Sequence, residues 1–381
     1  MNKELAAKVG KHFKKLKGGV ARSRVSLKKL SFVSFSMREQ TLFAKRMSFL
    51  IKAGVPLVEC LNLIRSQTKS DSKKRVFDAV ITDVSSGQYL SSSLGKFPRF
   101  FGDFSISLIR VGEKSGILSQ NLVYLADELQ KTSELKRKVV GTLIYPIFIT
   151  VATLGVTGVL TVYIFPKLMP IFTSLHVDLP LTTRALIALS AYLSEWGILT
   201  VLGAIALGLA FYAAHRMYER VRLGTDHVLL HIPFVSNVTR AYNLTNFCRT
   251  LGLLLKSGIT LTEAITITAE TTTNLVYRNA CSHLGSRVMQ GEPLSRGLAQ
   301  HPELYPDILV HMIAVGEKTG NLSTTLTYLG ELYENEVNEL TRGLSNSIEP
   351  ILMIVMGLLV GLIAVSVITP IYQITQHLQP K

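Results

Sequence analysis

Val111-Gly112-Glu113-Lys114-Ser115-Gly116 returns 204 residues later as Val315-Gly316-Glu317-Lys318-Thr319-Gly320. The same shift, without a gap, pairs Phe43 with Phe247, Lys52 and Gly54 with Lys256 and Gly258, and Leu57 and Glu59 with Leu261 and Glu263. It continues through Gly87/Gly291, Pro98/Pro302, Pro146/Pro350 and Pro166/Pro370. Roughly thirty of about 124 aligned positions are identical, too many for a chance register, so the chain is a tandem duplication. Each copy includes an apolar segment long enough to cross a bilayer. Function therefore turns on which side of a membrane each copy faces.

Three segments qualify as transmembrane helices: 141–165, 197–214 and 347–370. In the first and third, prolines stand 20 residues apart, Pro146 with Pro166 and Pro350 with Pro370. At 1.5 Å per residue that is about 30 Å, one hydrocarbon thickness, so each pair is expected to bracket a bilayer-sized helix. Pro146 and Pro350 then mark the entry side. The middle segment belongs to neither copy. A unit with one span would leave its copies on opposite faces, and an extra crossing returns the second copy to the side of the first.

Charge sets the orientation. The net charge of +15 is concentrated early: residues 1–142 hold 27 Lys/Arg against 11 Asp/Glu, residues 215–347 hold 11 against 12. Lys136-Arg137-Lys138 abuts the first span, and Arg216, Arg220 and Arg222 follow the second. Between them, 166–196 carries only Lys167 and Arg184, with Trp196 where an interfacial aromatic belongs. The positive-inside rule makes the N-terminus cytoplasmic. The expected order is a basic arm (1–38), a cytoplasmic helical domain (39–140), the first span (141–165) and a short extracytoplasmic loop (166–196). Then come the second span (197–214), a second cytoplasmic domain (215–346), the third span (347–370) and an extracytoplasmic tail (371–381). The arm has ten bases in its first thirty residues, and with spans following, anionic membrane lipid suits it better than nucleic acid. No apolar run of signal-peptide length follows those bases. Cys60, Cys248 and Cys281 form no CxxC and read as reduced core thiols.

Both copies read as helical. Leu42, Phe43, Met47, Phe49, Leu50 and Ile51 fall mostly at helical spacing over 39–52, and Gly54 stands where a left-handed cap would end that helix. Thr260 and Glu263 have capping-box spacing, with Pro56 and Glu59 in their places in the first copy. A helix near 72–86, a break at Gly87, a short helix, a Pro98 turn and a helix over about 100–110 follow. A long helix from near Leu118 then runs through Lys136–Lys138 into the first span. The fold class is all-α: two homologous cytoplasmic six-helix bundle domains plus three transmembrane helices.

In the repeated motif, Glu113/Lys114 and Glu317/Lys318 offer a charged contact surface presented twice to a partner. Alternatively the glycines form a tight turn and the glutamate caps a helix. A P-loop is excluded, because Glu113 precedes Lys114-Ser115 where a glycine is required. His227 and His231 are four apart, but Val228 stands where a zincin needs Glu and no third ligand follows. With no nucleophile–base set, and no acid inside a span to relay protons, the chain is expected to be neither enzyme nor cofactor binder. A transporter, the distant alternative, lacks charged midplane residues for a substrate path. Gly357 and Gly361 form a GxxxG in the third span, a candidate helix-packing face together with Pro146 and Pro350.

Six elements stand out: Lys52-Ala53-Gly54-Val55-Pro56-Leu57, Gly112–Gly116, Leu143-Ile144-Tyr145-Pro146, Leu179-Pro180-Leu181-Thr182-Thr183-Arg184, Gly316–Gly320 and Glu349-Pro350-Ile351-Leu352. In these the sequence resembles the inner-membrane platform proteins of type II secretion and type IV pilus systems (the GspF/PilC family). The elements occur in order over about residues 40–375. The resemblance implies a multi-pass protein of the bacterial inner membrane, without enzymatic activity and assembled as a dimer or higher homo-oligomer. It also implies coupling of a cytoplasmic hexameric assembly ATPase to pilins or pseudopilins beside other inner-membrane assembly components. Glu113, Lys114, Glu317, Lys318, Lys136, Arg137 and Lys138 are the candidate partner-binding residues.

Overall fold

The computed structural model describes residues 34–97, 99–164, 166–167, 181–233 and 235–377, and is helical with no strand among them. The basic arm to residue 33, the Pro98 turn and residues 168–180 of the expected loop lie outside the described residues. The first copy comprises α1 (Met37–Lys52), α2 (Leu57–Gln67), α3 (Asp71–Ser85), α4 (Leu90–Leu94), α5 (Asp103–Ser115) and α6 (Leu118–Val159), the last passing into a π-helical turn at Leu160–Ile164. Next come α7 (Leu181–Met217) and α8 (Glu219–Leu229), which have no counterpart among the described residues of the first copy. The second copy comprises α9 (Val235–Lys256), α10 (Leu261–Thr271), α11 (Leu275–Met289), α12 (Leu294–Leu298), α13 (Asp307–Thr319) and α14 (Leu322–His377). From the end of α1 to the start of α6, every boundary recurs 204 residues later.

Local chemistry explains why the boundaries repeat. Gly54, Gly87 and Gly116 have φ of 81°, 88° and 75°, and Gly258, Gly291 and Gly320 have 86°, 86° and 71°. A side chain would strain the backbone there, so each glycine ends a helix in both copies. The start of α1 lies inside the segment expected as an arm, because Ser36 and Glu39 form a capping box. The Ser36 hydroxyl accepts from the Glu39 N–H at 3.3 Å, and the Glu39 carboxylate accepts from the Ser36 N–H at 2.9 Å. The box expected at Thr260 and Glu263 does not form. The Thr260 hydroxyl lies 3.3 Å from that of Thr262 instead, and no side chain caps α10.

Described residues up to Lys136 pack with Arg240–Asn335 into one compact unit; Arg137–Thr239 and Glu336 onward form a second. In the first unit the core of copy one is aromatic. Phe43, Phe77, Phe100 and Phe101 are buried, with the Phe43 and Phe101 rings 4.7 Å apart and Phe100 and Phe101 at 5.2 Å, edge to face. Burying such a side chain stabilises the fold by about 1.5–3 kcal/mol. In copy two Tyr305 takes the place of Phe101, with the buried Tyr277 ring 5.8 Å away, and the Tyr277 hydroxyl donates to the Leu304 carbonyl at 3.0 Å.

The second unit holds the apolar stretches. Three helices are long and apolar enough to cross a membrane, within Leu118–Ile164, Thr183–Met217 and Leu322–Ser366. Ile147, Phe148, Ile198, Leu207 and Leu358 are among the large side chains they leave exposed, a surface that lipid suits and water does not. Two expectations are corrected here. Residues 181–196, expected in an extracytoplasmic loop, are the first turns of α7, since they break no helical pattern and contain neither Gly nor Pro. The prolines also do not bracket helices: α6 runs unbroken through Pro146, and α14 through Pro350 and Pro370 to His377. A proline costs a helix one backbone hydrogen bond, a loss of about 3 kcal/mol in a soluble helix that membrane helices tolerate.

Candidate functional site

In the repeated Gly-Glu-Lys motif, Gly112 and Glu113 lie in the last turns of α5, not in a turn between helices. Gly116 alone makes the left-handed turn. Gly112 is required for a different reason. A Cβ built on it would stand 2.9 Å from the Leu118 Cα and 3.1 Å from the Asn121 Cβ, so α6 crosses α5 only where a side chain is missing. Asn121 exploits that approach, donating to the Leu108 carbonyl at 3.1 Å. In copy two, a Cβ on Gly316 would meet the Thr325 hydroxyl at 2.7 Å.

The glutamate is committed to the backbone. The Glu113 carboxylate accepts from the Leu90 N–H at 2.5 Å and the Ser91 N–H at 2.9 Å, capping the N-terminus of α4 from the end of α5. Glu317 does the same for α12, accepting from Leu294 at 2.6 Å and Ser295 at 3.1 Å, and from the Ser295 hydroxyl at 2.5 Å. The first N–H groups of any helix have no partner within it, and a carboxylate satisfies them while complementing the helix dipole. Lys114 and Lys318, next in each motif, are exposed.

A second constellation joins the two copies. Arg249 of α9 reaches Glu128 of α6, with Nη2 3.1 Å and Nε 3.3 Å from one carboxylate oxygen, and both residues are buried. Glu334 of α14 lies 3.6 Å from the same guanidinium. Close by, Lys256 stands over the Tyr124 ring at 4.9 Å, Leu253 packs into the core of copy one, and α10 contacts α5. Neither Arg249 nor Glu128 belongs to a sequence motif. The available signal was the loss of identity between copies, since Lys45 stands opposite Arg249 in the repeat and Leu332 opposite Glu128.

The basic cluster on α6 divides in use. Lys136 lines a cleft of about 310 Å³ between the copies, shared with Glu128, Tyr242 and Asn246. Arg137 and Lys138, with Arg342, Asn338 and Asn346, line an open cleft of about 540 Å³ between α6 and α14, where Lys138 donates to Asn338 at 3.0 Å. Deeper in that unit, polar side chains tie the apolar helices together. Ser190 donates to the Thr161 carbonyl in the π-turn at 2.6 Å, and Thr183 to the Ser366 carbonyl at 3.0 Å. By contrast, a Cβ on Gly357 or Gly361 would meet nothing within 4 Å among the described residues, which leaves that GxxxG to lipid or another chain.

The groups with reactive side chains are otherwise engaged. The rings of His227 and His231 lie 4.6 Å apart, with the His231 Nδ1 2.9 Å from the His227 carbonyl. Among the described residues no three His, Cys, Asp or Glu gather as metal ligands. All three cysteines are free and buried, and burial pushes the Cys281 thiol up to about 12, far from the thiolate a nucleophile needs.

The family model for type II secretion system protein F matches twice, at residues 43–166 and 247–370, again 204 apart and together more than half of the chain. The chain belongs to the type II secretion system protein F family. Among its relatives, the type IV pilus assembly protein PilC of Thermus thermophilus is 34% identical over 341 residues, 89% of this chain and 83% of the relative. The PilC of Pseudomonas aeruginosa is 29% identical over 87% of this chain and 89% of its own length. The type II secretion system protein F of the same organism is 30% identical over 90% of this chain and 84% of its own. Membership in this family, with three apolar helices, makes the chain a multi-pass membrane protein of pilus or secretion machinery.

Proposed function

We propose that the chain is the inner-membrane platform of a type IV pilus assembly machine, coupling a cytoplasmic hexameric assembly ATPase to the insertion of pilins into, or their extraction from, the fibre base. The observation that carries this reading is the paired family repeat, each copy passing through one continuous helix into an apolar span, in a chain whose relatives include type IV pilus assembly proteins. The Lys/Arg bias supports a cytoplasmic N-terminus and cytoplasmic domains at 39–140 and 215–346. With Glu113 and Glu317 holding helix N-termini, Lys114 and Lys318 are the members of the motif that meet the ATPase. The cleft lined by Arg137, Lys138 and Arg342 suits an anionic lipid headgroup. The chain does no covalent chemistry of its own; the motor supplies the energy and the platform transmits it.

A second reading, the equivalent platform of a type II secretion system, is favoured by the relative of that name, which matches at similar identity and coverage. One experiment separates them. A deletion strain is examined for surface pili and for secretion of folded exoproteins, while the purified full-length chain in nanodiscs is titrated with the assembly ATPase. Loss of pili with secretion intact, and a saturable complex with the ATPase, are expected. Normal pili in the deletion strain and no complex would overturn the proposal.

A further inference from the structure

The two copies do not meet face to face through matching surfaces. Copy two offers α9 and α10 to α5 and α6 of copy one: Arg249 meets Glu128, Lys256 stands over Tyr124 and Leu253 packs into the copy-one core, with the buried Ile267 on α10 and the part-buried Phe104 and Val111 on α5. An interface that uses different surfaces of homologous units is heterologous, and it leaves one surface of each kind unused.

Among the described residues, burial at the equivalent positions shows both surfaces unused. On copy one, the α1/α2 face equivalent to Leu253 and Ile267 presents Phe49 at 72% and Leu63 at 40% exposure, although Ile267 itself is 5% exposed. On copy two, the α13/α14 face equivalent to Phe104, Val111, Tyr124 and Glu128 presents Ile308 at 56%, Val315 at 61%, Tyr328 at 54% and Leu332 at 38%. In copy one each of those positions is covered at least in part, and Glu128 is buried. Large apolar side chains exposed together in a patch mark a contact surface. Here the shape of the missing partner is already present within the chain.

We infer that these faces bind each other between molecules: the α1/α2 face of one chain seats on the α13/α14 face of a second copy, repeating the contact that joins the two halves of a single chain. Phe49 then occupies the position of Leu253, and Lys52 stands over Tyr328 as Lys256 stands over Tyr124. The buried Arg249–Glu128 pair is not reproduced, because Lys45 and Leu332 take those places. The intermolecular contact is accordingly the more reversible of the two. Being heterologous, it either closes into a ring or continues as an open array. The inference deepens the self-association expected of a platform and does not depend on which machine the chain serves.

The test uses the full-length chain in native membranes and a short bis-maleimide crosslinker. The native thiols are buried, and a chain without added cysteine serves as the control. Lys52→Cys and Tyr328→Cys together are expected to give covalent dimers and a ladder of higher species. A mixture of chains carrying one substitution each should give dimers only, and either single variant alone should give none. Phe49→Glu, at an exposed position where folding tolerates the change, should abolish the ladder; Val315→Glu should do the same from the other face. Crosslinking by either single variant alone would overturn the inference, since it indicates an isologous contact. So would a double variant that stays monomeric, or one that captures a different protein in place of a second copy. None of these readouts involves the ATPase or the fibre, so failure here leaves the platform role standing, and the reverse.

Discussion

Glu113→Ala removes both acceptors at the N-terminus of α4. The Leu90 and Ser91 N–H groups, now bonded at 2.5 and 2.9 Å, are left without a protein partner in a part-buried site. Hydrogen bonds to charged groups contribute about 1.5–3 kcal/mol each, but water reaches a half-buried site and replaces part of that. Two such donors give an expected local cost of about 2–4 kcal/mol. Glu317→Ala is expected to cost about 1 kcal/mol more, because Glu317 also accepts from the Ser295 hydroxyl. The assay is native-state hydrogen exchange on the full-length chain in detergent, read on peptides covering α4 and α12. At 1.4 kcal/mol per decade, the first-turn amides of α4 should exchange roughly 30- to 1000-fold faster in Glu113→Ala, with α12 unaffected. If α4 protection is unchanged while ATPase binding is lost, the carboxylate faces a partner and the capping account is wrong.

Arg249→Ala leaves Glu128 buried without its cation and is expected to destabilise the contact between copies by about 3–5 kcal/mol, with Arg249→Lys intermediate; thermal unfolding of the detergent-solubilised chain reads both. Cys248 and Cys281 should resist maleimide at pH 8 in the folded chain and react at once in denaturant, because burial raises both thiols; rapid labelling of the native protein would contradict their placement. Burial works to raise the Glu39 carboxyl, but the Lys73 ammonium and the Ser36 donors outweigh it and hold the group below the usual carboxylate range. A lowered folded value contributes stability that is present above the unfolded pKa, about 4.3, and lost as pH falls through the folded one. Exchange at the start of α1 should therefore separate wild type from Glu39→Gln at pH 6 and converge near pH 3. Curves that stay parallel across that range would remove Glu39 from the cap.

What could be read from the chain in advance was whatever is encoded locally. A helix that must end in a left-handed residue needs glycine there, so Gly54, Gly87 and Gly116 mark the same ends in both copies. Helix periods and the start near Leu118 were readable for the same reason. The errors were also local rules, applied where another interaction took precedence. Thr260 had the spacing of a capping box, yet its hydroxyl pairs with Thr262. Prolines looked like boundaries, yet α6 and α14 absorb them.

The candidate site divides in the same way. That Glu113 and Glu317 mattered was visible from their repetition, but which groups they serve lies 22 and 23 residues earlier in sequence. Only packing α5 against α4 brings them together. The duplication, the helices, their glycine stops and the three apolar stretches are legible in the chain, because each depends on composition and short-range spacing. Tertiary structure alone decided that Arg249 meets Glu128 from 121 residues away, and that copy two seats on copy one by unlike faces. Two nearly equivalent bundles have two nearly equivalent ways to pair. The observed contact carries the Arg249–Glu128 pair where the repeat-equivalent positions hold Lys45 and Leu332, a difference whose meaning appears only when both surfaces are in contact.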